Sequence, residues 1–391
     1  MIFVFDKIIS EKPYPNLARW QALPYTPEWR EFSKNWPFSE PFHFLEYLQK
    51  ENVEYQLVTS NENVENGIYP VSLSFFDFSI DWFELLDSAI LTRLKAKTLK
   101  IWFFYSEGDN PQRIQRHLRT QCIVHNIPES QIHFTSANSS AANLDNFSYF
   151  VDDEMLYRLR NEAEPVKFHT RRRSKKFTAL VRTHKWWRAS TMARLWKQDL
   201  HKLGYFSYNT GLDVGESEND NPIEVDSFGT LRKTTKQFLR HGPYSADDYD
   251  SDYHNLYHYT IPEHYNDSYI NLILETHLDA DQSGGTFLTE KTFKPIKNAQ
   301  LFLIVGPQHS IRQLKRMGYR TFDHIIDHSY DNIENNTQRW NAVMQEAERL
   351  ILHEHLHSLY KECAEDIQHN QKIFARSKRS RLNTLLQKVN K

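Results

Sequence analysis

Short apolar runs alternate along the chain with longer stretches of amphipathic period. Residues 100–105 (KIWFFY) have the near-continuous apolar, aromatic-rich composition of a strand buried on both faces. Runs at 2–5, 53–58, 131–136, 177–181, 205–208, 269–276 and 301–305 predict further strands. Between them, 111–125 sets Ile114, His117, Leu118, Cys122 and Ile123 on one side of a helix opened by Pro111. Helices are also predicted at 42–52, 75–91, 152–159, 190–203, 230–238 and 311–317, and as one long amphipathic element over 337–373. A last strand region is predicted at 321–327. Strands alternating with helices predict open α/β sheets.

At 391 residues the chain is long for a single core, so two domains are expected. The junction falls in 161–176 (NEAEPVKFHTRRRSKK), which is polar, holds Pro165 and carries a basic run. The expected division is 1–165, 166–372 and a basic tail or helix, 373–391. Residues 213–252 read as a long acidic and polar insertion. A net charge of −2 gives no overall pull towards nucleic acid or membrane. Only two cysteines occur, Cys122 and Cys363, which suggests neither a disulfide framework nor a cysteine metal site and points to a reducing compartment. No apolar stretch approaches a membrane span, and the first residues lack a basic region and a cleavage site. A soluble, cytoplasmic protein with no membrane insertion is expected, with its sequons at Asn138, Asn146 and Asn266 idle.

The most informative stretch is 269–306. It reads as strand, polar loop with Gly284-Gly285, helix start at Thr289-Glu290-Lys291, helix, strand, and Gly306. Unsatisfied amides and the dipole at a helix start favour an anion, and Lys291 adds a full charge. Glu290 suits the paired hydroxyls of a ribose. The same residues also fit an ordinary helix start, with Thr289 as N-cap and Glu290 complementing the dipole.

The run Phe287-Leu288-Thr289-Glu290-Lys291-Thr292-Phe293, followed by a strand and Gly306, resembles the donor-binding motif of alpha-1,3-fucosyltransferase-like glycosyltransferases. It is more similar to a group of phage-encoded glycosyltransferases with TEKTFKPI and a later GYxTF, here Gly318-Tyr319-Arg320-Thr321-Phe322. The resemblance covers roughly 177–331. It implies a GT-B-like α/β fold, two Rossmann-like domains facing across a cleft, with the donor on the C-terminal one. By resemblance, Arg182 and Arg188 grip the donor pyrophosphate, a task suited to a planar guanidinium. Glu275, at the end of its strand, is a further donor-site candidate beside Thr289, Glu290 and Lys291. The expected donor is UDP- or GDP-linked, with no other cofactor, and the expected reaction is metal-independent and inverting. Lys291, Arg182 and Arg188 would stabilise the leaving diphosphate. Asp-x-Asp pairs at Asp248–Asp250 and Asp279–Asp281 read as solvated loop.

Inversion needs a base. Glu107, in the acidic loop after the 100–105 strand, is the first choice and Asp109 the second, with helix capping as the alternative role of either. The acceptor is expected to be a glycan or a hydroxymethylated pyrimidine in phage DNA. The basic segments 171–176 and 376–381 would suit DNA, although 171–176 reads better as a solvated face. The competing expectation is a non-catalytic carbohydrate-binding or phage structural protein with a transferase-like fold. His353-Glu354-His355-Leu356-His357 matches H-E-x-x-H on a predicted helix, but no third ligand follows, so no metal is assigned.

Overall fold

The computed structural model describes residues 1–5, 48, 51–59, 62, 64–73, 76–105, 107–151, 156, 159–160, 164–208, 230–246, 260–279, 284–376 and 379–390. Most of the helices expected at 42–52 and 152–159, most of the acidic insertion, and Asp248, Asp250 and Asp281 lie outside these residues. The chain forms two compact units. The first comprises Met1–Tyr157, Asp281–Phe287 and Ser377–Lys391; the second comprises Arg158–Ala280 and Leu288–Arg376. This differs from a division at 165 and 372, because a short segment of the 166–372 region belongs to the first unit.

The first unit holds a parallel sheet in the order β2-β1-β3-β4-β5-β6. Its strands are β1 (Ile2–Phe5), β2 (Gln56–Thr59), β3 (Gly67–Leu73), β4 (Leu99–Tyr105), β5 (Ile132–Ser136) and β6 (Phe147–Tyr149). Successive side chains leave a strand on opposite faces. Ile101, Phe103 and Tyr105 therefore join Trp82, Ile114 and Phe134 in one core, while Trp102 faces the other way with Phe3, Ile68 and Phe150. The C-terminal helix, Arg379–Val389, covers that second face with Leu382, Leu385, Leu386 and Val389.

Of the helix expected over 75–91, residues 76–87 are turn and loop, and only the last residues, from Ser88, are helical. The Asp77 side chain accepts from the Ser79 amide (2.7 Å) and the Asp81 side chain from the Phe83 amide (3.0 Å). Such local bonds compete with helix formation. Asp87 then caps α1 (Ser88–Lys95). Further along, α2 (Pro111–His125) has the sequence-predicted bounds. Asn110 supplies its cap, accepting from the Gln112 and Arg113 amides, so neither Glu107 nor Asp109 is the capping residue.

Residues 284–287 lie against the loops after β4 and β5. Ser139 N–H donates to the Thr286 carbonyl (2.9 Å), the Thr286 amide donates to Ser139 Oγ (3.0 Å), and Asn138 bridges Phe287. Gly108 is required here: a Cβ would sit 2.1 Å from the Phe287 ring. Only a bare backbone allows this approach.

The second unit holds a four-stranded parallel sheet in the order β10-β9-β7-β8. β7 (Lys175–Val181) leads through α3 (Trp186–Lys197) to β8 (Gly204–Tyr208). Then come α4 (Thr230–His241), α5 (Pro262–Asn266), β9 (Ser268–Leu274), α6 (Glu290–Lys297) and β10 (Leu301–Val305). Every residue of β9 and β10 is buried, as a strand covered on both faces requires. Both sheets share the doubly wound start in which the first strand is flanked by the second and the third.

The remainder is α7 (Ser310–Arg316), α8 (Asn336–Ile351), α9 (Leu356–Glu362) and α10 (Ala364–Ala375). The expected single helix over 337–373 is thus three. The His355 amide donates to His353 Nδ1 (3.1 Å) in the turn after α8, so His353 and His357 do not share a helix face. The expected strand at 321–327 is a turn: Phe322 has φ 63°, and its carbonyl accepts from both Ile325 and Ile326. The 171–176 run is not uniformly solvated either. Arg173 is buried, donating to the Tyr265, Ser268 and Ala299 carbonyls and to the Tyr360 hydroxyl.

No helix among the described residues is long and apolar enough to cross a membrane. Leu382→Ala is expected to cost about 2–5 kcal/mol by opening a cavity under the first sheet. Native-state hydrogen exchange should accelerate in β1 and β4 and stay unchanged in β7 and β9.

Candidate functional site

β7 is the first strand of its sheet, and the chain winds from it to β8 on one side and to β9 on the other. The carboxyl ends of β7 and β9 therefore border a topological switch point, where open α/β sheets bind ligands. Arg182 follows β7 and Glu275 follows β9. Thr289, Glu290 and Lys291 open α6 beside them.

Glu275 is fully buried, and its carboxylate is already occupied. Oε1 accepts from the Thr289 amide (3.1 Å) and Thr292 Oγ1 (2.5 Å); Oε2 accepts from Thr289 Oγ1 (2.7 Å) and the Thr276 amide (3.2 Å). In this structure the Glu275 carboxylate holds the start of α6, and a ligand would reach it only by breaking these bonds. Thr289 uses its hydroxyl fully: it donates to Glu275 and accepts from Lys291 N (3.3 Å) and Lys291 Nζ (3.2 Å). The expected array of unsatisfied amides at this helix start is corrected: the Thr289 and Lys291 amides are taken by protein oxygens.

Arg188 is likewise held by the protein. Its guanidinium is buried and bonds the Glu275 carbonyl through Nε (3.2 Å) and Nη2 (2.6 Å), and the Thr183 carbonyl through Nη1 (3.2 Å). It fastens the β7–α3 loop to the end of β9. Lys185 Nζ makes a parallel tie to the Thr276 carbonyl (2.7 Å). Arg339 closes the next gap, donating to the Gly306 carbonyl (3.1 Å) and the Leu278 carbonyl (2.6 Å). Burial pulls the Arg339 guanidinium down to about 10, against the raising effect of Asp331 and Asp279.

Within this frame the site is strongly positive. Burial, then Lys185, Arg188 and Lys291, push the His277 imidazole down to about 4, so it is neutral at pH 7. Glu290 is buried and accepts from Lys291 Nζ (3.1 Å), whose side chain is 33 % exposed. Burial raises the Glu290 carboxyl, but Lys291 and Lys294 outweigh it and hold it below the usual range. Lys294, one turn beyond Glu290, is half-buried. It was not among the sequence candidates, although Glu290 and Lys294 stand at i,i+4 in the motif itself. Arg182 is half-buried and belongs to the same electrostatic neighbourhood.

In the first unit, Glu107 and Asp109 follow β4. Glu107 is half-buried, and its carbonyl accepts from Ser136 Oγ (3.3 Å). The Tyr105 hydroxyl donates to Asp109 Oδ2. Burial, then Asp109 and Glu107, raise the Tyr105 phenol far above its ordinary value, so it stays a neutral donor. Among the described residues no group of three or more His, Cys, Asp or Glu side chains converges as metal ligands.

Comparison of the chain with protein-family models, with curated proteins and with solved structures gives no match.

Removing the Glu275 carboxylate strands the donors around it. Glu275→Ala is expected to cost about 3–5 kcal/mol. The loss should appear in the denaturant midpoint of the protein without added ligand. The depressed His277 value means that the unfolded chain binds a proton more readily between about pH 6.5 and 4. Stability from this group is therefore complete above that window and lost as pH falls through it. A His277→Asn protein should lose less stability than wild type between pH 7 and pH 4.5; an identical loss would rule the contribution out.

Proposed function

We propose that the second unit binds the diphosphate of a nucleotide sugar and that the protein is a metal-independent, inverting glycosyltransferase of GT-B-like organisation. The observation that carries the reading is the pairing of Lys291 with one buried carboxylate, Glu290, at the start of α6, at the switch point of a parallel sheet whose first strand Arg182 follows. Cations placed there compensate the charge that grows on a leaving diphosphate. Glu290 receives the ribose hydroxyls on the same reading. Glu275 and Arg188 contribute by holding the site's backbone.

In the proposed reaction the acceptor oxygen attacks the anomeric carbon as the bond to the diphosphate breaks. Glu107 takes the acceptor proton. Asp109 is the second choice, since its carboxylate already serves the Tyr105 hydroxyl. The acceptor is a glycan or a hydroxymethylated pyrimidine in DNA.

The test is nucleotide release from UDP- and GDP-sugars, with and without DNA containing hydroxymethylcytosine. Release from one donor only when that DNA is present would identify a DNA acceptor; release indifferent to DNA would favour a glycan. Tight nucleotide binding without turnover on any acceptor would favour a binding protein. With the acceptor in hand, Glu107→Gln should lower kcat about 10²- to 10⁴-fold and leave nucleotide affinity unchanged. Retention of most turnover would remove Glu107 as the base.

A further inference from the structure

On α6, Glu290 and Lys294 are one turn apart, and Lys291 Nζ is already bonded to Glu290 and Thr289. Lys294 is different. Its side chain is half-buried, and its ammonium makes no hydrogen bond among the described residues. Three charged groups face it: Glu290 and Lys291 from its own helix and Arg182 from the end of β7. Two of these three are cations. Holding an ammonium partly out of water beside two like charges is unfavourable, and the one carboxylate among them, Glu290, is already bonded to Lys291 Nζ, which leaves an excess of positive charge for an anion to meet.

We propose that Lys294 is a further contact for the anionic group of the ligand at this site, the diphosphate of a nucleotide. The inference rests on the donor-site reading given above and adds a residue to it. A lysine is apt here because its compact, rotatable ammonium can adapt to phosphate oxygens while its charge responds to burial.

A measurable consequence follows from protonation. Burial, with Lys291 and Arg182 adding to it and Glu290 opposing, brings the Lys294 ammonium down to about 8. Near pH 8 a substantial fraction of the amine is uncharged in the empty site. An anion bound against it favours the ammonium, so binding draws a proton from solvent onto Nζ. Binding of GDP or UDP at pH 8 should therefore show proton uptake, read by calorimetry in two buffers of different ionisation enthalpy.

Two variants complete the test. Lys294→Arg keeps a cation that stays protonated, so binding should persist and the proton uptake should vanish. Lys294→Met should weaken GDP or UDP binding about tenfold or more. Nucleotide binding with no proton uptake in wild type, or with uptake unchanged in Lys294→Arg, overturns the role of Lys294 and leaves the donor site standing. Absence of binding by GDP, UDP and inorganic pyrophosphate overturns both.

Discussion

The arrangement at the switch point depends on one buried carboxylate. Glu275 sits where β9 ends and gathers the first turn of α6 onto itself through Thr289 and Thr292. Its backbone carbonyl meanwhile receives Arg188 from the neighbouring loop. One residue thus fixes the start of α6 by its side chain and the β7–α3 loop by its main chain. The cost of burying the charge is offset by the bonds it accepts and by the helix dipole it faces. Because Glu275 occupies that pole of the dipole, the positive charge beside it lies on side chains, those of Lys291 and Lys294 and, next to Lys294, Arg182. Such charges respond to salt and pH in a way that fixed amides do not.

Buried arginines tie the rest of the second unit together. Arg173, Arg188 and Arg339 each bond backbone carbonyls at the ends of strands or helices. Carbonyls at such ends lack partners in regular structure, and a guanidinium with five donors can satisfy several at once. A lysine in any of these places could not span the same acceptors. The basic character of 171–176 and of the 182–188 loop therefore has two sources, and only part of it faces solvent.

Much of the fold was legible because its strands are parallel and buried on both faces. Runs such as LKIWFFY and LFLIV announce themselves by composition, and Asn110-Pro111 marks a helix start. What stayed hidden were the long-range partners. A glutamate at a strand end reads the same whether it holds a ligand or the next helix, and only the position of Thr289 and Thr292 in space decides for Glu275. Arg188 likewise has the spacing of a phosphate ligand, while two of its three bonds go to the Glu275 carbonyl just past β9, remote in sequence. The 337–373 region keeps an amphipathic period through breaks set by local bonds such as His355 to His353. Lys294 stood in plain view within the motif, but spacing signals only a neighbour for Glu290, not a half-buried ammonium among cations.

The first unit is assembled from three separated pieces of chain, and the last of them emerges after the second unit is complete. Its β1–β6 sheet therefore leaves the ribosome with one face, bearing Phe3, Ile68, Trp102 and Phe150, lacking the helix that will cover it. Some two hundred residues must be synthesised before Leu382 and Val389 arrive, which at ordinary elongation rates is an interval of about ten seconds or more. During that interval the second unit can close around Glu275 on its own segments. Assembly thus runs against the order of synthesis: the unit begun first is the one finished last.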